Sequence, residues 1–277
     1  MCRMPALAAT ILTLLATPAL AAKPEKPTAT PAPAAPAVAW PPARPKASAA
    51  QRAEAQREDP LARAAFWARE LETDPRDTQA GLALAVALRQ LGRYPEAYDA
   101  AGQVLVIQPD NMDALLEAAR AQIARGQGFY AIEPARHAQT LAPRDWRPVS
   151  LLAVAYEQAD RDDEALAAHR QALSMAPNEP AVLTNFAMYY AGHGNLPEAE
   201  RLLRQASVQP RADARVRQNL ALVVGLQGRL AEAEQLVRQD LPPEQAANNI
   251  AWLKAATART PTGEGRSWSA VTRGGGS

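Results

Sequence analysis

The chain has 277 residues, 30 of them basic and 29 acidic, so no general electrostatic draw toward nucleic acid or an anionic bilayer is expected. Alanine is abundant and aromatics are few, a composition suited to close helix packing rather than a strand-rich core. The one cysteine, Cys2, excludes an intrachain disulfide.

Residues 1–22 predict a secretory signal peptide. Arg3 gives the positive start, Pro5 to Leu15 an apolar core too short for a stable membrane anchor, and Ala19-Leu20-Ala21 a small-x-small cleavage site. Export to the periplasm, with possible outer-membrane association, is the expected address. Cys2 precedes the apolar core and is therefore not the acylated cysteine of a lipoprotein signal. Residues 23–50 predict a disordered linker, because Pro31, Pro33, Pro36, Pro41, Pro42 and Pro45 favour polyproline II and leave little to bury. The alternative for this stretch is a recognition peptide around Trp40-Pro41-Pro42.

Residues 51–77 lead in, with a capping helix predicted over Pro60–Thr73 whose Leu61, Ala64, Ala65, Ala68 and Leu71 share one face. From 78 to 241 the chain repeats. Gly92, Gly126, Asp160, Gly194 and Gly228 recur every 34 residues, with Ala97, Ala131, Ala165, Ala199 and Ala233 five residues further on. Glu96, Glu164, Glu198 and Glu232 sit between them, Tyr130 breaks that column, and Pro75, Pro109, Pro143 and Pro177 punctuate the early units. Each unit reads as two helices, A and B, with A starting near Thr78, Met112, Trp146, Pro180 and Ala214. The corner between them needs a left-handed residue, which glycine supplies freely and Asp160 tolerates. Gly126-Gln127-Gly128-Phe129-Tyr130 lacks the usual acidic start of helix B and predicts an altered turn. Pro210 falls one residue early, a slip expected to be confined to the loop at 209–213. A closing helix is predicted over 242–259, with Ala247, Ile250, Ala251 and Leu253 at helical spacing, followed by a disordered Gly- and Ser-rich tail over 260–277 that contains Trp268.

This period and punctuation resemble the tetratricopeptide repeat (TPR). The resemblance implies an all-α fold: an α-solenoid, a right-handed superhelix of antiparallel helix pairs, with an N-terminal capping half-unit and a C-terminal capping helix.

No catalytic constellation is found. His137, His169 and His193 occupy different positions in their units, and nucleophile elbow, P-loop and dinucleotide fingerprints are all missing. A non-enzyme without cofactor or metal is expected. What the array offers is a concave face lined by the A helices. The residues expected there are Asp113, Glu117 and Arg120; Arg147, Ser150, Glu157 and Gln158; Thr184, Asn185 and Met188; and Arg215, Gln218, Asn219 and Leu222. Asn185 and Asn219 are the sharpest candidates, since an amide both donates and accepts and can clamp an extended peptide. The competing reading is that these amides bond within the array.

Within 217–253, Arg217-Gln218-Asn219-Leu220-Ala221-Leu222-Val223-Val224-Gly225-Leu226-Gln227-Gly228-Arg229 resembles the last repeat of the TadD family. Asp240-Leu241-Pro242-Pro243-Glu244-Gln245-Ala246-Ala247-Asn248-Asn249-Ile250-Ala251-Trp252-Leu253 resembles that family's closing segment. TadD proteins serve tight-adherence (Flp) pilus assembly and are regarded as pilotin-like or scaffolding components for the outer-membrane secretin. The resemblance implies a protein or extended peptide as partner, a secretin or other pilus component. It departs in one respect: many members look like lipoproteins, and this chain has no cysteine after its apolar core. The alternatives are a general exported scaffold and the accessory domain of an envelope hydrolase.

Overall fold

The computed structural model describes residues 45–258. The expected signal peptide, nearly all of the linker and the tail with Trp268 lie outside the described residues. Within them the chain is all-helical, thirteen helices and no strand.

Five hairpins carry the repeat. They are α3 (Thr78–Gln90) with α4 (Tyr94–Ile107), α5 (Met112–Ala124) with α6 (Gly128–Leu141), α7 (Trp146–Gln158) with α8 (Asp162–Met175), α9 (Pro180–Gly192) with α10 (Leu196–Ser207), and α11 (Ala214–Leu226) with α12 (Leu230–Val237). Before them come α1 (Ala49–Ala55) and α2 (Pro60–Thr73), and after them α13 (Pro243–Ala258). Helix α2 begins 34 residues before α4 and keeps the register of a helix B. Helix α1 begins inside the last residues of the expected linker. Ser48 and Gln51 form a capping box at its start, and Arg52 reaches Glu70 and Asp77 at 2.5 and 2.6 Å, which pins the helix to the array.

The five corners share one geometry. Gly92, Gly126, Asp160, Gly194 and Gly228 all have φ between 55° and 85°. At each, the N–H of the next residue reaches the carbonyl five residues back, as Arg93 does to Leu88 at 2.9 Å, closing a Schellman motif. The altered turn expected at 126–130 is therefore corrected. Gln127 bonds to the Gln122 carbonyl at 2.9 Å like its counterparts, and α6 starts in register. The unusual sequence there serves packing instead. A Cβ on Gly128 would lie 2.5 Å from the Ala155 carbonyl oxygen, so only glycine lets α6 start this close to α7. The slip near Pro210 shortens a helix: α10 has 12 residues against 14 in α4, α6 and α8, and α11 resumes in step.

Small residues hold the hairpins together. Ala97, Ala131, Ala165, Ala199 and Ala233 are fully buried, and alanine's short side chain lets the two helix axes come close. Helices α3, α5, α7, α9 and α11 also pack each against the next, with no comparable packing between successive B helices among the described residues, so the A helices form the inner layer. One seam differs. Helices α8 and α9 meet over a shorter stretch than any other helix B and the following helix A. His169 occupies the column held by Ala101, Ala135, Leu203 and Val237, and its ring stacks on Phe186 at 5.1 Å. The closing helix buries Ala246, Ile250 and Leu253, while Ala247 and Ala251, expected on the apolar face, are exposed.

Candidate protein-binding surface

The inner face divides into two parts. From the second to the fourth unit most of its polar side chains are engaged within the array. Glu117 is buried between two guanidinium groups, Arg89 at 2.6 Å and Arg120 at 2.5 Å. Arg147 chelates Asp145 at 2.6 Å and reaches the exposed Asp113 at 3.8 Å. Burial pushes the Asp145 carboxyl up, but the Arg147 side chain and backbone N–H outweigh it and hold it below its ordinary value. Gln158 donates to the Ile123 carbonyl at 3.0 Å. Asn185 donates to the buried Ser150 hydroxyl at 3.0 Å. Glu157 lies half-buried, 3.9 Å from His169. Met188 is half-buried, and Thr184 is buried with its hydroxyl unpartnered. The Arg89–Glu117, Arg147–Asp113, Gln158–Ile123 and Asn185–Ser150 contacts run between successive units and act as struts. For Asn185 the internal bond, the competing reading, is what the structure shows.

The fifth unit is different. The pair corresponding to Ser150 and Asn185 is Thr184 and Asn219, and it is not closed: Thr184 Oγ1 has no hydrogen-bond partner among the described residues. Asn219 instead lines a cleft of about 380 Å³ with Gln218, Leu222, Val237, Asn249, Trp252 and Leu253. Arg215 lies outside this cleft, exposed and 4.0 Å from Asp213. Gly225 seats the closing helix beside the cleft. A Cβ there would sit 2.5 Å from Leu253 Cδ1, so the bare backbone lets α13 seat Leu253 against α11. The neighbouring Trp252 is left 45% exposed at the mouth. Arg217 and Asp240, paired at 2.5 Å, fix the turn that leads into α13.

The cleft thus has an apolar floor of Leu222, Val237 and Leu253, an indole at its edge, and the amides of Gln218, Asn219 and Asn249 around it. Such a set complements a polypeptide: amides pair with backbone N–H and C=O groups, and the indole packs on an apolar side chain. Asn249 and Trp252 were not among the residues picked from the sequence. Their spacing of three on a helix whose Leu253 is buried is the signal that finds them. Among the described residues, no group of three or more His, Cys, Asp or Glu side chains is placed to hold a metal ion, and no helix is long and apolar enough to cross a membrane.

Two profiles, each described as tetratricopeptide repeat, match residues 149–181 and 181–207. Among solved structures, a thermophilic TPR protein of Thermus thermophilus aligns at 25% identity with a TM-score of 0.58, covering 64% of this chain and 99% of that one. A tetratricopeptide repeat protein of Parabacteroides merdae aligns at 13% identity and a TM-score of 0.62, covering 74% and 80%. No curated protein matches the sequence. Stacked helix hairpins around an inner binding face define a helical-repeat scaffold for protein–protein interaction. The left-handed corners, the 34-residue period and the profile matches over 149–207 mark these hairpins as tetratricopeptide repeats.

Proposed function

We propose that the chain is a non-catalytic, exported adaptor of Flp pilus assembly that holds a segment of a secretin or another pilus component in the cleft between α11 and α13. One observation carries the reading. The stretch 217–253, whose residues resemble the TadD family, is also the stretch that builds the cleft with unbonded amides and an exposed indole. Much of the remaining inner face is engaged in struts, which favours its C-terminal end as the contact. The N-terminal signal pattern supports a periplasmic setting.

The test is photo-crosslinking in cells from position 219, with position 185 as control, followed by mass spectrometry of the adducts. A secretin or pilus platform protein recovered from 219 and not from 185 is the expected outcome. Recovery of unrelated envelope proteins alone sinks the pilus assignment, and a chain retained in the cytoplasm on fractionation sinks the export.

A further inference from the structure

A second surface lies on the B-helix side, between α4 and α6. Tyr98, Leu105, Val106, Leu115, Ala118 and Pro134 line a groove of about 600 Å³ there. Its origin is legible in the repeat columns. Gly102 stands where the following units carry Arg136, Arg170, Arg204 and Arg238. Three of those arginines are engaged: Arg136 on the Tyr156 hydroxyl at 3.0 Å, Arg204 on Glu200 and Glu232 at 2.7 and 2.5 Å, and Arg238 on Glu234 at 2.6 Å. At Gly102 nothing lies within 4 Å of where a Cβ would be. The missing side chain leaves this stretch of the groove open.

The rim is acidic in the same place. Asp99 and Glu133 occupy equivalent positions in consecutive units, where the rest of the array has Ala65, Ala167, Arg201 and Gln235. Both are exposed, and neither has an ion-pair partner among the described residues. The nearest cation on α6, Arg136, is turned to Tyr156. His137, also on the rim, is held by Asp110 at 2.8 Å. Val106, 85% exposed, extends the apolar floor outward.

We infer that this groove docks a segment of a partner protein that combines apolar anchors with lysine or arginine. An apolar floor gains from burying aliphatic side chains, and two unpaired carboxylates at the edge select cations. The same carboxylates repel nucleic acid and an anionic bilayer. The inference is independent of the cleft at α11 and α13.

The probes are two synthetic 14-residue amphipathic helices, one of leucine and lysine, the other with glutamate in place of each lysine. Binding to the purified chain is read by fluorescence anisotropy at low salt. The lysine peptide is expected to bind about tenfold more tightly than the glutamate peptide, the scale of two partly desolvated charge pairs. Gly102→Arg, which restores the side chain that the other units carry, is expected to remove that binding. Circular dichroism verifies that this variant stays folded, and Asp99→Asn with Glu133→Gln gives a second route with no added bulk. Asn219→Ala leaves the binding unchanged. Equal binding of both peptides, or lysine-peptide binding that survives both Gly102→Arg and the double neutralisation, overturns the proposal. Loss through Asn219→Ala alone assigns the peptide to the cleft and also overturns it.

Discussion

Two helical glycines that look alike in the sequence are expected to respond to alanine with opposite signs. Alanine in place of glycine inside a helix ordinarily stabilises by about 0.5–1 kcal/mol, because glycine loses more backbone freedom on folding. At Gly102 nothing opposes that gain, since no atom lies within 4 Å of the new methyl. At Gly128 the methyl would sit 2.5 Å from both the Ala155 carbonyl oxygen and Gln158 Cβ, 0.9 Å inside the 3.4 Å at which ordinary contact begins. The carbonyl belongs to the backbone of α7 and cannot swing aside, so α6 and α7 must separate. Overpacking of this kind costs about 1–3 kcal/mol, and Gly128, as the first residue of α6, recovers little helix propensity. At roughly 2–4 °C per kcal/mol for a domain of this size, Gly128→Ala lowers the melting midpoint by roughly 2–12 °C and Gly102→Ala raises it by roughly 1–4 °C. Repeat arrays can melt in stages. Thermal circular dichroism is therefore paired with amide exchange in α6 and α7, where the loss at 128 should be local. Two shifts of the same sign, or a Gly128→Ala protein as stable as the original, would refute the reasoning.

Asp160 holds φ 55° in a corner where the other four units have glycine, so Asp160→Gly is expected to raise stability by about 0.5–1 kcal/mol in urea titration. His169→Leu takes the residue of the equivalent position 203 and removes a buried Nε2 that has no hydrogen-bond partner, for an expected gain of about 1–2 kcal/mol and slower amide exchange across α8 and α9; a net loss would mean that ring stacking on Phe186 matters more. Asn185→Ala should destabilise by about 1 kcal/mol by stripping the partner from buried Ser150, whereas Asn219→Ala should leave the melting midpoint within error. Burial pushes the Asp77 carboxyl up, but Arg52 and the Ala80 N–H outweigh it, and its folded value lies below the unfolded one. Its stabilising contribution is therefore complete above the unfolded carboxylate range near about pH 4 and disappears as pH falls through the depressed folded value. Asp77→Asn should accordingly flatten the acid limb of a stability–pH curve while leaving its shape near neutrality unchanged.

The repeat made the backbone legible. A 34-residue recurrence places each left-handed corner and each buried alanine, and the helix starts follow within the register. The sequence was misread where one residue type serves two purposes. Gly126-Gln127-Gly128 looked like a disturbed turn because glycine usually signals backbone conformation. Gly126 does supply a positive φ, but Gly128 is there for an approach between α6 and α7 that involves residues 27 and 30 positions away. No local pattern carries that information. The closing helix shows the same limit: a stripe of Ala247, Ile250, Ala251 and Leu253 is good helical spacing, yet the side that meets α11 is chosen by the notch at Gly225, and the buried alanine is Ala246.

The inner face explains why equivalent positions need not be equivalent sites. Asn185 and Asn219 stand 34 residues apart on successive A helices, and repeat geometry gives each the same outlook. What separates them is whether the hydroxyl on the preceding helix is engaged. Ser150 closes its bond with Asn185, whereas Thr184 stays unpaired and Asn219 lines the cleft under α13. The same logic governs the outer side, where Gly102 opens a groove that arginine occupies in every later unit. In an array whose period sets the backbone, selectivity for a partner resides in the departures from the column: the bond that is not closed and the side chain that is missing. Substitutions that restore the column, such as Gly102→Arg, are therefore sharper probes of binding than alanine, because the array already shows that the restored residue folds in that place.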